Sequence, residues 1–508
     1  MTISETMAND DNIKSRNATP TNLEWDVRSF IQGRRVDSAA SEILQAFNPA
    51  TGQPLYRLPV GSPQDTKKAV DSAVAAVASR AWIDMPLMER KRVLGRFGDL
   101  VEGNAAELAQ RDALEMGLPV TVGAASITGW ARETIRFCAE AIDKHFTEFV
   151  PCTGGIAYSA AHPCGVIGVI VPWNFPAAVN ILRALPALAA GNSIIVKPSE
   201  IASASAVRVA ELALEAGVPP GVYNVVVGSG ATVGAALTRD NDVDMVSFTG
   251  SVRMARKLMT DAAESNGKRL QLELGGKSAN IVFGDITDVV DIAESIFWDA
   301  FYAQGHVCSG RTRLLVHGSV RKPLLEKLEA MAAAISPQDP SDASAQFGAI
   351  GHRGQFESII DSIGSAQAAG ASLISGGVPV RRESGGYFIP PTIFDSVTPT
   401  MRVFQEEIFG PVLTVTEFET DEEALTLAND SRFGLSGTLW TRDFPRIHRF
   451  TRAWRTGEVI VRTSAAPFIG PAPCNVSWTP HGVSGYGTDG GIAMLEAFCR
   501  RKAIWIQG

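Results

Sequence analysis

Four short β-rich runs, at 165–171, 193–196, 223–227 and 245–248, alternate with helical stretches at 177–190, 202–216 and 231–238. Strand, helix and strand in this rhythm bury their apolar faces as parallel crossover units, so this part of the chain is expected to form a doubly wound sheet. A second series starts at 278–283. It continues through helices at 288–302, 322–334 and 421–429 and strands at 313–316, 372–375 and 411–418. The expected fold class is therefore α/β. A length of 508 residues allows two to four domains at about 100–200 residues each.

The remaining stretches are read more coarsely. Residues 30–36 and 48–54 have Gly and Asn-Pro at hairpin spacing and read as short strands joined by turns. Apolar residues at three and four spacings predict two or more amphipathic helices over 65–81 and 88–114, and the helical pattern continues over 128–149. Residues 503–506 read as a final apolar strand, which needs a partner such as another subunit's sheet.

Charge and composition exclude several classes. A net charge of -8, with no dense Lys/Arg cluster, argues against a nucleic-acid partner. The 6 cysteines have neither CxxC pairing nor metal-type spacing with the 7 histidines, so no disulfide framework and no metal site is expected, and the compartment is read as reducing and cytoplasmic. Residues 1–22 are polar, lack an apolar core and read as a disordered tail. The most apolar run, 177–196, contains Asn180, Arg183, Pro186 and Asn192, so a buried helix and strand suit it better than a membrane span.

Three residues stand out for chemistry. Cys308 lies in Gln304-Gly305-His306-Val307-Cys308-Ser309-Gly310, among small residues that let a ligand approach a thiol, although free cysteines are also commonly structural. Glu273 is flanked by leucines and followed by Gly275-Gly276; held against apolar surface it is a candidate general base, and pointing outward it is only a strand glutamate. Asn174, in Pro172-Trp173-Asn174-Phe175-Pro176, is an amide on rigid flanks, suited to an oxyanion or simply to a loop. Three turns follow expected strands where a doubly wound sheet binds nucleotides: Lys197-Pro198-Ser199-Glu200, Phe248-Thr249-Gly250-Ser251, and the run from Gly228 through Gly230 to Gly234. The last is G-x-G-x-x-x-G and does not match the usual dinucleotide fingerprint.

Jointly, in this order, these segments together with Glu273-Leu274-Gly275-Gly276-Lys277 and Glu406-Glu407-Ile408-Phe409-Gly410-Pro411 resemble the aldehyde dehydrogenase superfamily, from Phe30 to the end of the chain. The resemblance implies an NAD(P)-binding domain (23–143 and 163–274), a catalytic domain (275–480) and a small β oligomerisation element (144–162 and 490–508), assembled as a homodimer or homotetramer. It implies Cys308 as the nucleophile, Asn174 and the cysteine's own N–H as oxyanion donors, and Glu273 as the base that hydrolyses the thioester. Lys197 and Glu200 would hold the adenosine ribose, Gly250 and Ser251 the pyrophosphate, and Glu407 and Phe409 the nicotinamide end. Pro172, Trp173, Ser199, Gly230, Gly234, Phe248 and Leu274 complete the implied cofactor site. NAD is favoured because Glu200 would repel a ribose phosphate, with NADP possible through Lys197 and Ser199. The alternatives are a branch that resolves the thioester with coenzyme A, against which Glu273 speaks, and a non-catalytic binding or structural protein on the same fold.

The sequence departs from the family pattern in places. His306 stands where glutamine is usual and reads as a substituted loop side chain. The run 477–482 replaces a Pro-Phe-Gly-Gly-x-Lys segment, Asp489 replaces a glutamate, and Arg462 replaces an asparagine. Ala177, Ala178, Val179 and Leu182 are expected to line a substrate tunnel walled by Phe175, Tyr302, Phe468 and Trp478, suiting a bulky or aromatic aldehyde.

Overall fold

The computed structural model describes residues 25–144, 148–286, 288–464 and 475–507. The expected tail at 1–22 and the tunnel residue Phe468 lie outside them. Two seven-stranded sheets dominate. In the first, Arg269–Glu273, Met245–Thr249, Val166–Ile170, Ser193–Lys197 and Tyr223–Val225 run parallel, and the hairpin Ser29–Ile31 and Arg34–Val36 closes one edge antiparallel. The three central strands are buried at every position, which is why they read as continuous apolar runs. In the second, Thr392–Asp395, Val412–Phe418, Arg313–His317, Ala279–Val282, Gly437–Trp440 and Ile460–Arg462 run parallel, with Ser372–Ser375 antiparallel at one edge. The α/β expectation with two doubly wound sheets is met. The run 177–196 is the buried helix Pro176–Ala189 followed by the strand Ser193–Lys197. No helix among the described residues is long and apolar enough to cross a membrane.

Local readings fail in three places. Residues 48–54 form a turn between the strands Ile43–Phe47 and Pro54–Pro59: Asn48 Oδ1 accepts the Ala50 N–H at 2.8 Å, and Gly52 takes φ +67. The helical reading of 128–149 stops early. The helices Val120–Ser126 and Arg132–Ala141 flank a π-turn, Ile127–Ala131, and by Glu148 the chain is a strand paired with Gly155–Pro163. The expected helix at 231–238 opens as a second π-turn, Gly230–Gly234.

Gly155–Pro163 is the centre of a third, antiparallel sheet with Glu148–Cys152 on one side and the last strand, Cys499–Gln507, on the other. The approach to that last strand belongs elsewhere, since Met494, Leu495 and Phe498 pack into the core of the first sheet.

The two large sheets meet at Gly275-Gly276, directly after the strand Arg269–Glu273. A Cβ on Gly276 would collide with the Cys308 carbonyl, and one on Gly275 with the Glu407 carboxylate. Gly276→Ala is therefore expected to push the Cys308 segment outward and to lower turnover by about 10²-fold, the size of effect a misplacement of about 1 Å produces. Steady-state kinetics alongside a melting curve checks this, and full activity would show that the contact yields.

Candidate active site

Register aligns the site along one edge of the first sheet. Ile170 lies beside both Lys197 and Phe248, and Thr249 lies beside Glu273. The segments carrying Asn174, Lys197 to Glu200, Gly250-Ser251 and Glu273 therefore leave the sheet next to one another at its carboxyl end, where doubly wound sheets bind ligands.

Cys308 arrives from the second sheet, on the connection between the helix Val289–Phe301 and the strand Arg313–His317. That connection bends through Ala303 (φ 50), Gln304 (φ 57) and Gly305 (φ 72), all in the left-handed region that costs non-glycine residues energy. Gln304 holds the bend: its Nε2 donates to the Gly117 carbonyl at 2.8 Å and the Ala349 carbonyl at 2.9 Å. Cys308 itself is half-buried. Asn174 is tied to the same loop, its Nδ2 donating to the His306 carbonyl at 2.7 Å. An amide carries two N–H bonds, so one fixes the side chain and the second is available to a ligand oxygen.

Glu273 is 3% exposed and its Oε1 has no hydrogen-bond partner among the described residues. Burial raises its pKa well above the ordinary carboxyl value; the Asp489 charge raises it further and Arg183 opposes both. Arg183 Nη1 donates to both oxygens of Asp489, at 2.6 and 2.8 Å. Asp489 thus sits beside the candidate base as an ion-paired carboxylate. Burial, with Glu407 and Glu273, pushes the Cys308 thiol up to about 11, and Arg183 pulls it down.

The residues along the carboxyl edge fit a dinucleotide. Lys197 Nζ lies 2.9 Å from Glu200 Oε2, and although burial works against ionisation, Lys197 keeps the Glu200 pKa below its ordinary value, so the carboxylate stays ready to accept ribose hydroxyls. Ser229 and Ser251 cap the N-termini of the π-turn Gly230–Gly234 and the helix Val252–Ala263, and the buried Thr249 hydroxyl lacks a partner among the described residues. Helix N-termini suit phosphates. Toward the other sheet, Glu407 Oε1 accepts the Gly276 N–H at 3.0 Å, and Trp173 packs edge-on against Phe409 with centroids 5.4 Å apart. Phe248 is 6% exposed and lies under Gly250, so it supports that turn from within the core.

On the substrate side, Phe175 stacks on Tyr302 at 6.2 Å, and Trp130 packs against both, at 5.4 and 6.1 Å. Val179 and Leu182 are half-buried against the core of the first sheet, whereas Ala177 and Ala178 are fully enclosed in it. Trp478 is backbone-paired with Asp489. Arg462 is away from this wall, bonded to Ser295 Oγ at 3.0 Å. His306 lies in a loop, as read from the sequence, and its ring is fully buried against Trp173, with centroids 4.8 Å apart.

Sequence patterns give little sign of Trp130 or of Arg183's role. Trp130 comes from a π-turn far upstream, and Arg183 is visible in sequence only as a charge interrupting an apolar run. Its partner Asp489 is 306 residues away, a pairing no local periodicity announces.

The sequence profile described as "Aldehyde dehydrogenase family" matches residues 36–504. The chain is 39% identical to the NADP/NAD-dependent aldehyde dehydrogenase PuuC of Escherichia coli (strain K12), covering 94% of this chain and 95% of that protein. It is 36% identical to the aminoacetaldehyde dehydrogenase of Pseudomonas aeruginosa, over 96% and 97% of the two chains. Among solved structures, an indole-3-acetaldehyde dehydrogenase complexed with NAD+ superposes with a TM-score of 0.92 at 38% identity, covering 96% of this chain and 98% of that one.

The electrostatics of Glu273 lead to a signed expectation. Asp489→Asn removes a like charge and releases Arg183, and both effects favour the ionised Glu273, so its titration should move to lower pH; Arg183→Met should move it to higher pH. Infrared titration of the buried carboxyl band measures both shifts. A midpoint unmoved in both variants would show that the three groups are not linked.

Proposed function

This chain belongs to the aldehyde dehydrogenase family, an NAD(P)-dependent oxidoreductase acting on aldehydes, and on that premise we propose that it converts a bulky, aromatic aldehyde to the free acid through a thioester on Cys308. The Cys308 sulfur, once its proton has left, bonds to the carbonyl carbon, and the carbonyl electron pair moves onto oxygen. The free N–H of Asn174 and the backbone N–H of Cys308 hold that oxyanion. NAD(P)+ bound along the carboxyl edge supplies the acceptor for the hydride that leaves this carbon. Glu273 then takes a proton from water, the hydroxide adds to the thioester, and the Cys308 thiolate departs as the acid forms. Glu200 and Lys197 would hold the adenosine ribose, the Gly250-Ser251 and Gly230–Gly234 turns the phosphates, and Glu407 with Phe409 the nicotinamide end.

The observation that carries the hydrolytic reading is Glu273: a buried carboxylate with an oxygen free of partners among the described residues, at the end of a strand three residues before Gly276 passes the Cys308 carbonyl. An acylating enzyme would need no water-activating base there. The aromatic reading rests on the Trp130, Phe175 and Tyr302 cluster. The Asp489 carboxylate is paired with Arg183, so it is a weaker lure for an ammonium group than a free carboxylate would be.

Cofactor reduction measured with NAD and NADP against aliphatic, aromatic and amino aldehydes tests this reading. Turnover is expected with the aromatic members, highest above neutral pH because Cys308 and Glu273 both work deprotonated, and is lost in Cys308→Ala. Glu273→Gln should give one burst of reduced cofactor and then stall, with the thioester detectable by mass. Acyl-CoA product in place of acid, or activity only on short aliphatic aldehydes, would refute the corresponding part.

We further infer that the third sheet joins subunits. Phe149, Val150, Trp505 and Ile506 are 54–64% exposed on it, a concentration of large apolar side chains that marks an interaction surface. Trp505→Glu with Val150→Glu should give a smaller species by analytical ultracentrifugation.

A further inference from the structure

Asp112 and Glu115 take no part in the chemistry above, yet they are 0% and 1% exposed on the last turn of the helix Ala105–Met116. Three residues apart, they share one face of it. The helix Pro176–Ala189, which follows Asn174, cannot cap itself, because Phe175 at its N-cap offers no side-chain acceptor and Pro176 has no N–H. Its first available donor, the Ala177 N–H, goes to Asp112 Oδ2 at 3.2 Å, while Asp112 Oδ1 accepts the Ser205 hydroxyl at 2.5 Å.

The helix Ala204–Ala216, which follows the Lys197 to Glu200 turn, is held in the same way. Ser203 at its N-cap sends its hydroxyl back to the Ser199 carbonyl at 2.8 Å. Glu115 Oε1 then accepts the Ser203 and Ala204 N–H groups, both at 2.9 Å, and the Tyr56 hydroxyl. The carbonyl of Gly117, which ends the helix Ala105–Met116, accepts the Gln304 amide of the nucleophile loop.

We propose that this last turn is the common anchor of the active site, with Asp112 as a positioning residue for Asn174 and Glu115 as a positioning residue for the Lys197 to Glu200 turn. The inference rests on the oxyanion and ribose roles given above. Each acid replaces a cap that the local sequence fails to supply, and each reaches a different loop. Their loss therefore separates kinetically, which a merely structural role would not.

Kinetics with direct measurement of NAD binding tests the assignment. Asp112→Ala is expected to lower kcat about tenfold, more than it weakens NAD, and Glu115→Ala to raise the NAD Kd about tenfold, more than it lowers kcat. Asp112→Asn and Glu115→Gln keep the acceptor oxygen and should restore each parameter. Parallel losses in both parameters, or amide variants as impaired as the alanines, would overturn the proposal. Should an alanine variant fail to fold, Ser205→Ala and Tyr56→Phe remove the hydroxyls that orient Asp112 and Glu115, and absence of the kcat and Kd split there overturns it equally. Asn174→Ala separates the two readings: full kcat in that variant removes the oxyanion role and with it the Asp112 assignment, whereas lost kcat there beside normal Asp112→Ala defeats the anchor alone.

Discussion

The glycine pair after Glu273 is what lets two independent sheets share one site. Without side chains at Gly275 and Gly276, the backbone leaving the first sheet passes against the Cys308 carbonyl and the Glu407 carboxylate of the second. Glu407 takes the Gly276 N–H, so the junction is bonded as well as close. Glu273 at the strand end and Cys308 on the facing loop are thereby held at a fixed separation. A methyl on Gly276 would press on the Cys308 backbone carbonyl, whereas one on Gly275 would meet the Glu407 carboxylate, the end of a side chain that can shift.

Closeness has an electrostatic consequence. Burial disfavours charge on Glu273, Glu407 and Cys308 alike, and each carboxylate makes the thiolate harder to form. Arg183 is the counterweight. It remains charged, its pairing with Asp489 fixes where its charge lies, and it favours the ionised forms of both Glu273 and Cys308. Asp489 is in turn fixed by the backbone pairing of its segment with Trp478, and Gly485 bridges to Glu273 itself. The stretch that follows the departing run 477–482 is therefore stitched directly to Glu273.

Much of the site is legible along the chain because its residues occupy the ends of strands, and strands announce themselves by period and composition. Asn174, Glu200 and Ser251 each follow a buried strand by a few residues and Lys197 ends one, so locating the runs locates them, whereas Glu273 ends a strand whose first two residues are not buried and is legible from its Leu-Gly-Gly motif. For a related reason the sequence reads Ala178 as wall: helical phase says that one face is buried but not which side faces a tunnel, and here Ala178 is fully buried while Val179 and Leu182 are half-buried against the core. The π-turns at Ile127–Ala131 and Gly230–Gly234 also escape prediction, because an extra residue per turn leaves the composition unchanged.

By itself the sequence determined the α/β alternation and the family, and it singled out Cys308, Asn174 and Glu273 as candidates, because all of these depend on residue type and short spacing. Only the tertiary structure decided that Arg183 meets Asp489, that Trp130 joins Phe175 and Tyr302, that His306 is buried, and that Asp112 and Glu115 cap helices they do not belong to. Each of these contacts joins segments distant in sequence, and which distant groups meet is set by how sheets and helices pack, a property of the whole chain that no single stretch of it contains.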